Sequence, residues 1–85
     1  MKSIRLDFTY ESWQGCRDKP TVKLVSAIME LNPGDEIIIE GEDNVMPISI
    51  VTDTLMDECF DVDIEERDDI IGSYRIRGVK RECRN

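Results

Sequence analysis

Histidine is absent from this 85-residue chain. Its absence removes the usual base of Cys-His and Ser-His mechanisms and the commonest metal ligand, so any nucleophile here has to be activated by local electrostatics. Cysteine is sparse as well. Cys16, Cys59 and Cys83 are odd in number and widely spaced, which suits neither a disulfide framework nor the paired spacing of a zinc site. No metal and no cofactor is expected, and a single domain over residues 1–85 is too small to enclose a bulky cofactor. Long apolar runs are missing too. None approaches the ~20 residues of a membrane span, and Met1-Lys2-Ser3-Ile4-Arg5 lacks the apolar stretch of a secretory signal, so the expectation is a cytoplasmic protein with no membrane contact. Positive charge is in deficit, with 11 Lys and Arg against 19 Asp and Glu and a formal net charge of −8. Such a chain repels a phosphate backbone, so direct nucleic-acid binding is not expected; the only basic stretch is Arg75, Arg77, Lys80, Arg81 and Arg84. A basic or amphipathic protein is the easier partner to accommodate.

What the chain does contain is apolar periodicity along most of its length, at 40% hydrophobic and 35% charged residues, the balance of an ordered domain. Ile4, Leu6, Phe8 and Tyr10 alternate with polar residues and predict a strand over residues 3–10. Pro20 suits a first helical turn, and Val22, Leu24, Val25, Ile28 and Leu31 follow at helical spacing, which predicts a helix from Pro20 to Leu31. Asn32-Pro33-Gly34-Asp35 stops that helix and turns the chain. The run Ile37-Ile38-Ile39 predicts a central strand over 36–40, broken by Gly41-Glu42-Asp43-Asn44. A second helix opens near Pro47, with Ile48, Val51, Leu55, Met56 and Cys59 on its apolar face, so Cys59 reads as a small buried hydrophobe. Phe60, Val62 and Ile64 alternate with acidic residues in a third strand. Glu66-Arg67-Asp68-Asp69 then reads as a polar connection to a last strand, Ser73 to Lys80, in which Gly78 marks a bulge or a close backbone approach. Asp61, Asp63, Glu65, Glu66, Asp68 and Asp69 make an acidic, solvated side. The tail from Lys80 to Asn85 reads as frayed, with Cys83 exposed in it.

The resulting order, β-α-β-α-β-β, has too few helices to cover both faces of a sheet. Right-handed crossovers put both on the same side, which predicts a two-layer α/β sandwich: a four-stranded mixed sheet with two helices on one face and a second face that is polar or meets a partner.

Within this frame Cys16 is the one residue placed for chemistry. It lies in Gly15-Cys16-Arg17-Asp18-Lys19-Pro20, just ahead of a helix start, where unpaired backbone N–H groups and the helix dipole favour a thiolate. Arg17 and Lys19 add two cations, partly offset by Asp18. Trp13, the only tryptophan, either shields the thiol or packs over the sheet edge.

The layout resembles the TusA-like (SirA-like) sulfur-carrier family. The resemblance is carried by Gly15-Cys16, Pro20, the helix from Val22 to Leu31, and Leu31-Asn32-Pro33-Gly34-Asp35 leading into Glu36 to Ile39, and it covers almost the whole chain. It implies the same β-α-β-α-β-β sandwich and a small cytoplasmic sulfurtransferase, a monomer or weak oligomer, that holds a persulfide on Cys16 and relays sulfur between donor and acceptor proteins. Arg17 and Lys19 would then bind the substrate or partner. One feature departs from the pattern. The family has Cys-Pro-x-Pro, whereas Arg17 follows the cysteine here and the nearest proline is Pro20. That departure sustains an alternative, a non-catalytic binding or regulatory domain of the same fold that has lost sulfur transfer.

Overall fold

In a computed structural model the chain forms β1 (Ser3–Phe8), α1 (Tyr10–Trp13), α2 (Pro20–Met29), β2 (Glu36–Glu42), α3 (Ile48–Asp57), β3 (Phe60–Asp68) and β4 (Ser73–Lys80). The structure describes residues 1–13 and 19–83. The four strands make one mixed sheet in the order β1-β2-β4-β3. β1 and β2 are parallel, while β4 runs antiparallel to both of its neighbours. Together with α2 and α3 this is the expected two-layer α/β sandwich.

Alternation along each strand separates the two faces. Leu6 and Phe8 of β1, Ile37 and Ile39 of β2, Phe60 of β3, and Tyr74 and Ile76 of β4 are buried, and they form one core with Leu24, Ala27 and Ile28 of α2 and Val51 and Leu55 of α3. Burial of each large apolar side chain stabilises the fold by about 1.5–3 kcal/mol, so this single layer holds the domain together. The opposite face is polar and laced with ion pairs: Arg5 meets Glu40 at 3.2 Å, Arg77 meets Glu36 at 2.8 Å and Arg75 meets Glu66 at 2.9 Å.

Gly78 is the close approach that its position in β4 suggests. A Cβ there would stand 3.2 Å from both Ile37 and Phe60. The bulge lies in β3 instead, where the register shifts between Ile64 and Glu66.

Several boundaries differ from the sequence reading, each for a local reason. β1 ends at Phe8 and not at Tyr10, because the Asp7 carboxylate accepts hydrogen bonds from both the N–H and the hydroxyl of Thr9 and turns the chain into α1. Gly41 continues β2 and does not break it. Residues 66–68, expected as a connection, extend β3 because Glu66, Arg67 and Asp68 pair with Arg75, Tyr74 and Ser73. Helix α2 stops at Met29, and Asp35 explains the turn that follows. Its carboxylate accepts the Asn32 and Lys2 N–H groups at 2.9 Å each, joining the end of α2 to the start of β1. Those bonds, Asn32 first, hold its carboxyl below the usual carboxylate range. Gly34 supplies the positive φ of 95° that this turn requires.

Cys59 is not on the apolar face of a helix; it follows α3 in a left-handed turn at φ 69° and is bonded to Cys83, with Cα atoms 5.5 Å apart. The β3–β4 pairing brings the two together across 24 residues, with Arg81 N–H bonded to the Cys59 carbonyl at 2.9 Å and Arg81 paired with Asp61 at 3.2 Å. Residues 81–83 are therefore tied to the start of β3, and Cys83 is exposed, as expected.

Candidate functional site

Both long helices begin at the end of the sheet where the parallel strands β1 and β2 finish, the customary place for function in open α/β folds. Lys19 is the residue capping α2, in extended conformation, and its carbonyl accepts the N–H groups of Val22 and Lys23 at 3.1 and 3.3 Å. Pro20 occupies the first turn, as expected, and the Lys19 side chain makes no capping hydrogen bond. The Lys19 side chain is exposed. Cys16 and Arg17 lie outside the described residues, as does the side chain of Trp13, so the expectations for them rest on the sequence.

Beside this end lies an open polar groove of about 600 Å³ lined by Thr9, Glu40 and Gly41 on one side and Arg67, Tyr74 and Arg75 on the other, with Glu66, Asp68 and Ser73 completing it. Both of its cations are already engaged. Arg67 donates to both oxygens of Asp43, at 3.2 and 2.8 Å, and to Asp69 at 2.8 Å; Arg75 faces Glu65 and Glu66. Asp43 also accepts the N–H of Ile48, so one carboxylate caps α3 and anchors the hairpin. The Arg67 hydrogen bonds, with Ile48 second, hold the Asp43 carboxyl below its ordinary range, and Asp43 in turn raises Arg67 further. Tyr74 is buried at the base of the groove and donates to the Met46 carbonyl; burial pushes its phenol well above the ordinary value. These groups build and brace the end of the sheet.

The basic stretch does not gather into a patch. Arg75, Arg77 and Arg81 each meet a carboxylate, and Lys80 donates to the Leu31 carbonyl at 3.0 Å with its ammonium 5.9 Å over the Phe60 ring. Arg84 lies outside the described residues. Among the described residues no group of His, Cys, Asp or Glu could hold a metal ion, and no helix is long and apolar enough to cross a membrane.

The Cys59–Cys83 bond was not visible in the cysteine spacing, and the register of the last hairpin is the signal that carries it. Its consequence for the site is direct: Cys16 is the one cysteine outside the pair. The molecule is thus a two-layer α/β sandwich in which two of the three cysteines are bonded to each other and the third, Cys16, precedes α2 in sequence. Comparison with family models, with curated proteins and with solved structures finds no match to this chain.

Proposed function

We propose that the protein is a small sulfur carrier that holds a persulfide on Cys16. The observation that carries this reading is that Cys59 and Cys83 are bonded to each other, which leaves Cys16 as the one cysteine for exchange, four positions ahead of the first residue of α2. Apart from the one-turn α1, the chain order and the four-stranded mixed sheet are those that the resemblance to TusA-like carriers implies.

In the proposed reaction the Cys16 thiolate attacks the terminal sulfur of a donor persulfide. A new S–S bond forms on Cys16 as the donor's S–S bond breaks, and the donor cysteine leaves as a thiolate. An acceptor thiolate then repeats the step on the Cys16 persulfide, so sulfur moves with no net oxidation and with no need of a general base. Arg17 and Lys19 favour the thiolate and orient the anionic donor. A cytoplasmic setting belongs to the proposal, and it carries a condition: the Cys59–Cys83 bond has to resist a reducing thiol pool, where disulfides are scarce.

The second reading, a binding or regulatory domain without sulfur transfer, is favoured by Arg17 standing where the carriers have proline. Alkylation rates of Cys16 against pH separate the two. A carrier gives an apparent thiol pKa below the usual ~8.5, whereas an ordinary value supports the binding domain.

A further inference from the structure

Helix α2 presents two apolar faces, and the sheet covers only one of them. Leu24, Ala27 and Ile28 are buried, while Val22, Val25 and Met29 are 59%, 46% and 78% exposed. These three recur at the spacing of one helix side, so they form a continuous stripe along the outer surface. Toward α3 the stripe opens into a groove of about 290 Å³ lined by Val25, Ile28, Met29, Thr54 and Glu58. The other bank is α3 and its cap, which carry Asp53, Asp57 and Glu58, all exposed, and no Lys or Arg.

We propose that this seam between α2 and α3 docks a cationic amphipathic helix of a partner protein. Shape and charge each select that occupant. α2 and α3 each lead from one strand to another parallel to it, so they run the same way over the sheet, and the stripe from Val22 to Met29 with the groove at its end is about 10 Å long, room for some two turns of a third helix laid between them. Aliphatic side chains of the incoming helix cover the stripe, and Lys or Arg on its flank meets the acidic bank. A second copy of this chain fits poorly, because it would bring another −8 and the same acidic bank. An anionic lipid surface is disfavoured on the same ground. The proposal does not depend on Cys16 carrying sulfur.

The test uses the isotopically labelled full chain carrying Cys16→Ser, so that the outcome is independent of the thiol. The probe is a synthetic Leu/Lys amphipathic helix of about 18 residues, five helical turns, followed by amide chemical shifts. Shifts centred on Val22 to Met29 and Thr54 to Glu58 are expected. Affinity should fall at least about tenfold in the Val25→Ser/Met29→Ser variant and again in the Asp53→Lys/Asp57→Lys variant, each change at least about 1.4 kcal/mol. All four positions are exposed, and circular dichroism checks that the fold is kept. The proposal is overturned if the shifts centre on β3, if a scrambled Leu/Lys peptide or a Leu/Glu helix binds equally well, or if affinity is unchanged in both variants. Sedimentation of the free chain as a dimer that Val25→Ser/Met29→Ser dissolves would assign the seam to a second copy. Binding to phosphatidylglycerol vesicles lost in the same variant would assign it to a membrane. Either result overturns the proposal.

Discussion

Tyr74 lies directly against Gly41: a Cβ on Gly41 would stand 2.6 Å from the phenol oxygen and 2.8 Å from the ring carbon bearing it. The ring cannot yield cheaply, because the core surrounds it and its hydroxyl is held by the Met46 carbonyl. Gly41→Ala should therefore destabilise the domain by about 1–3 kcal/mol, the usual range for forcing extra atoms into a packed core. Denaturant unfolding measures it, and a change within error of wild type would show that the ring has room to move.

The same tyrosine predicts an alkaline limb. Its phenol gives up a proton less readily when folded, so above about pH 10 the unfolded chain ionises first and stability falls as pH rises. Tyr74→Phe should flatten that limb. It should also cost about 1–3 kcal/mol at neutral pH, because the buried Met46 carbonyl loses its partner. An alkaline limb unchanged in Tyr74→Phe would assign it to another group.

Acid should act through a different set. Asp35, Glu36 and Asp43 are each held below the ordinary carboxylate range, by the Asn32 N–H, the Arg77 guanidinium and the Arg67 guanidinium respectively as the leading cause. The unfolded chain binds those protons first as pH falls, so their contribution is present at neutral pH and is lost below about pH 4. Melting temperature against pH should show that drop, and the Asp35→Asn/Asp43→Asn double variant should show a shallower one from a lower starting stability. An equally steep drop in the double variant would place the acid sensitivity elsewhere.

Reduction of the Cys59–Cys83 bond should lower stability by about 2–4 kcal/mol, the range for closing a loop of this size. Cys83→Ser should melt where the reduced wild type does, and Cys16→Ser should leave the reductant effect intact. A melting temperature indifferent to reductant would mean that the bond adds nothing to the fold.

Much of this architecture was legible in the sequence because strong local signals agree. Period-two alternation in β1 and β4, Pro20 at the start of α2 and the Asn32-Pro33-Gly34-Asp35 stop all fall within a few residues of their observed places. What escaped depends on partners distant in sequence. The polar residues Glu66 to Asp68 became strand because Arg75, Tyr74 and Ser73 pair with them, and Cys59 met Cys83 through that same hairpin register. Arg67 reaching Asp43 across 24 positions could not be read from either local pattern. The candidate thiol is the opposite case. Its standing comes from the sequence around Cys16, and the structure adds the pairing of the other two cysteines.

Whether Cys16 accepts sulfur is decided by intact-protein mass spectrometry after incubation with a persulfide donor. A sulfur carrier gains about 32 Da, one sulfur atom, that is lost on treatment with reductant and does not form on Cys16→Ser. No gain with any donor, or an equal gain on Cys16→Ser, would contradict the sulfur-carrier reading.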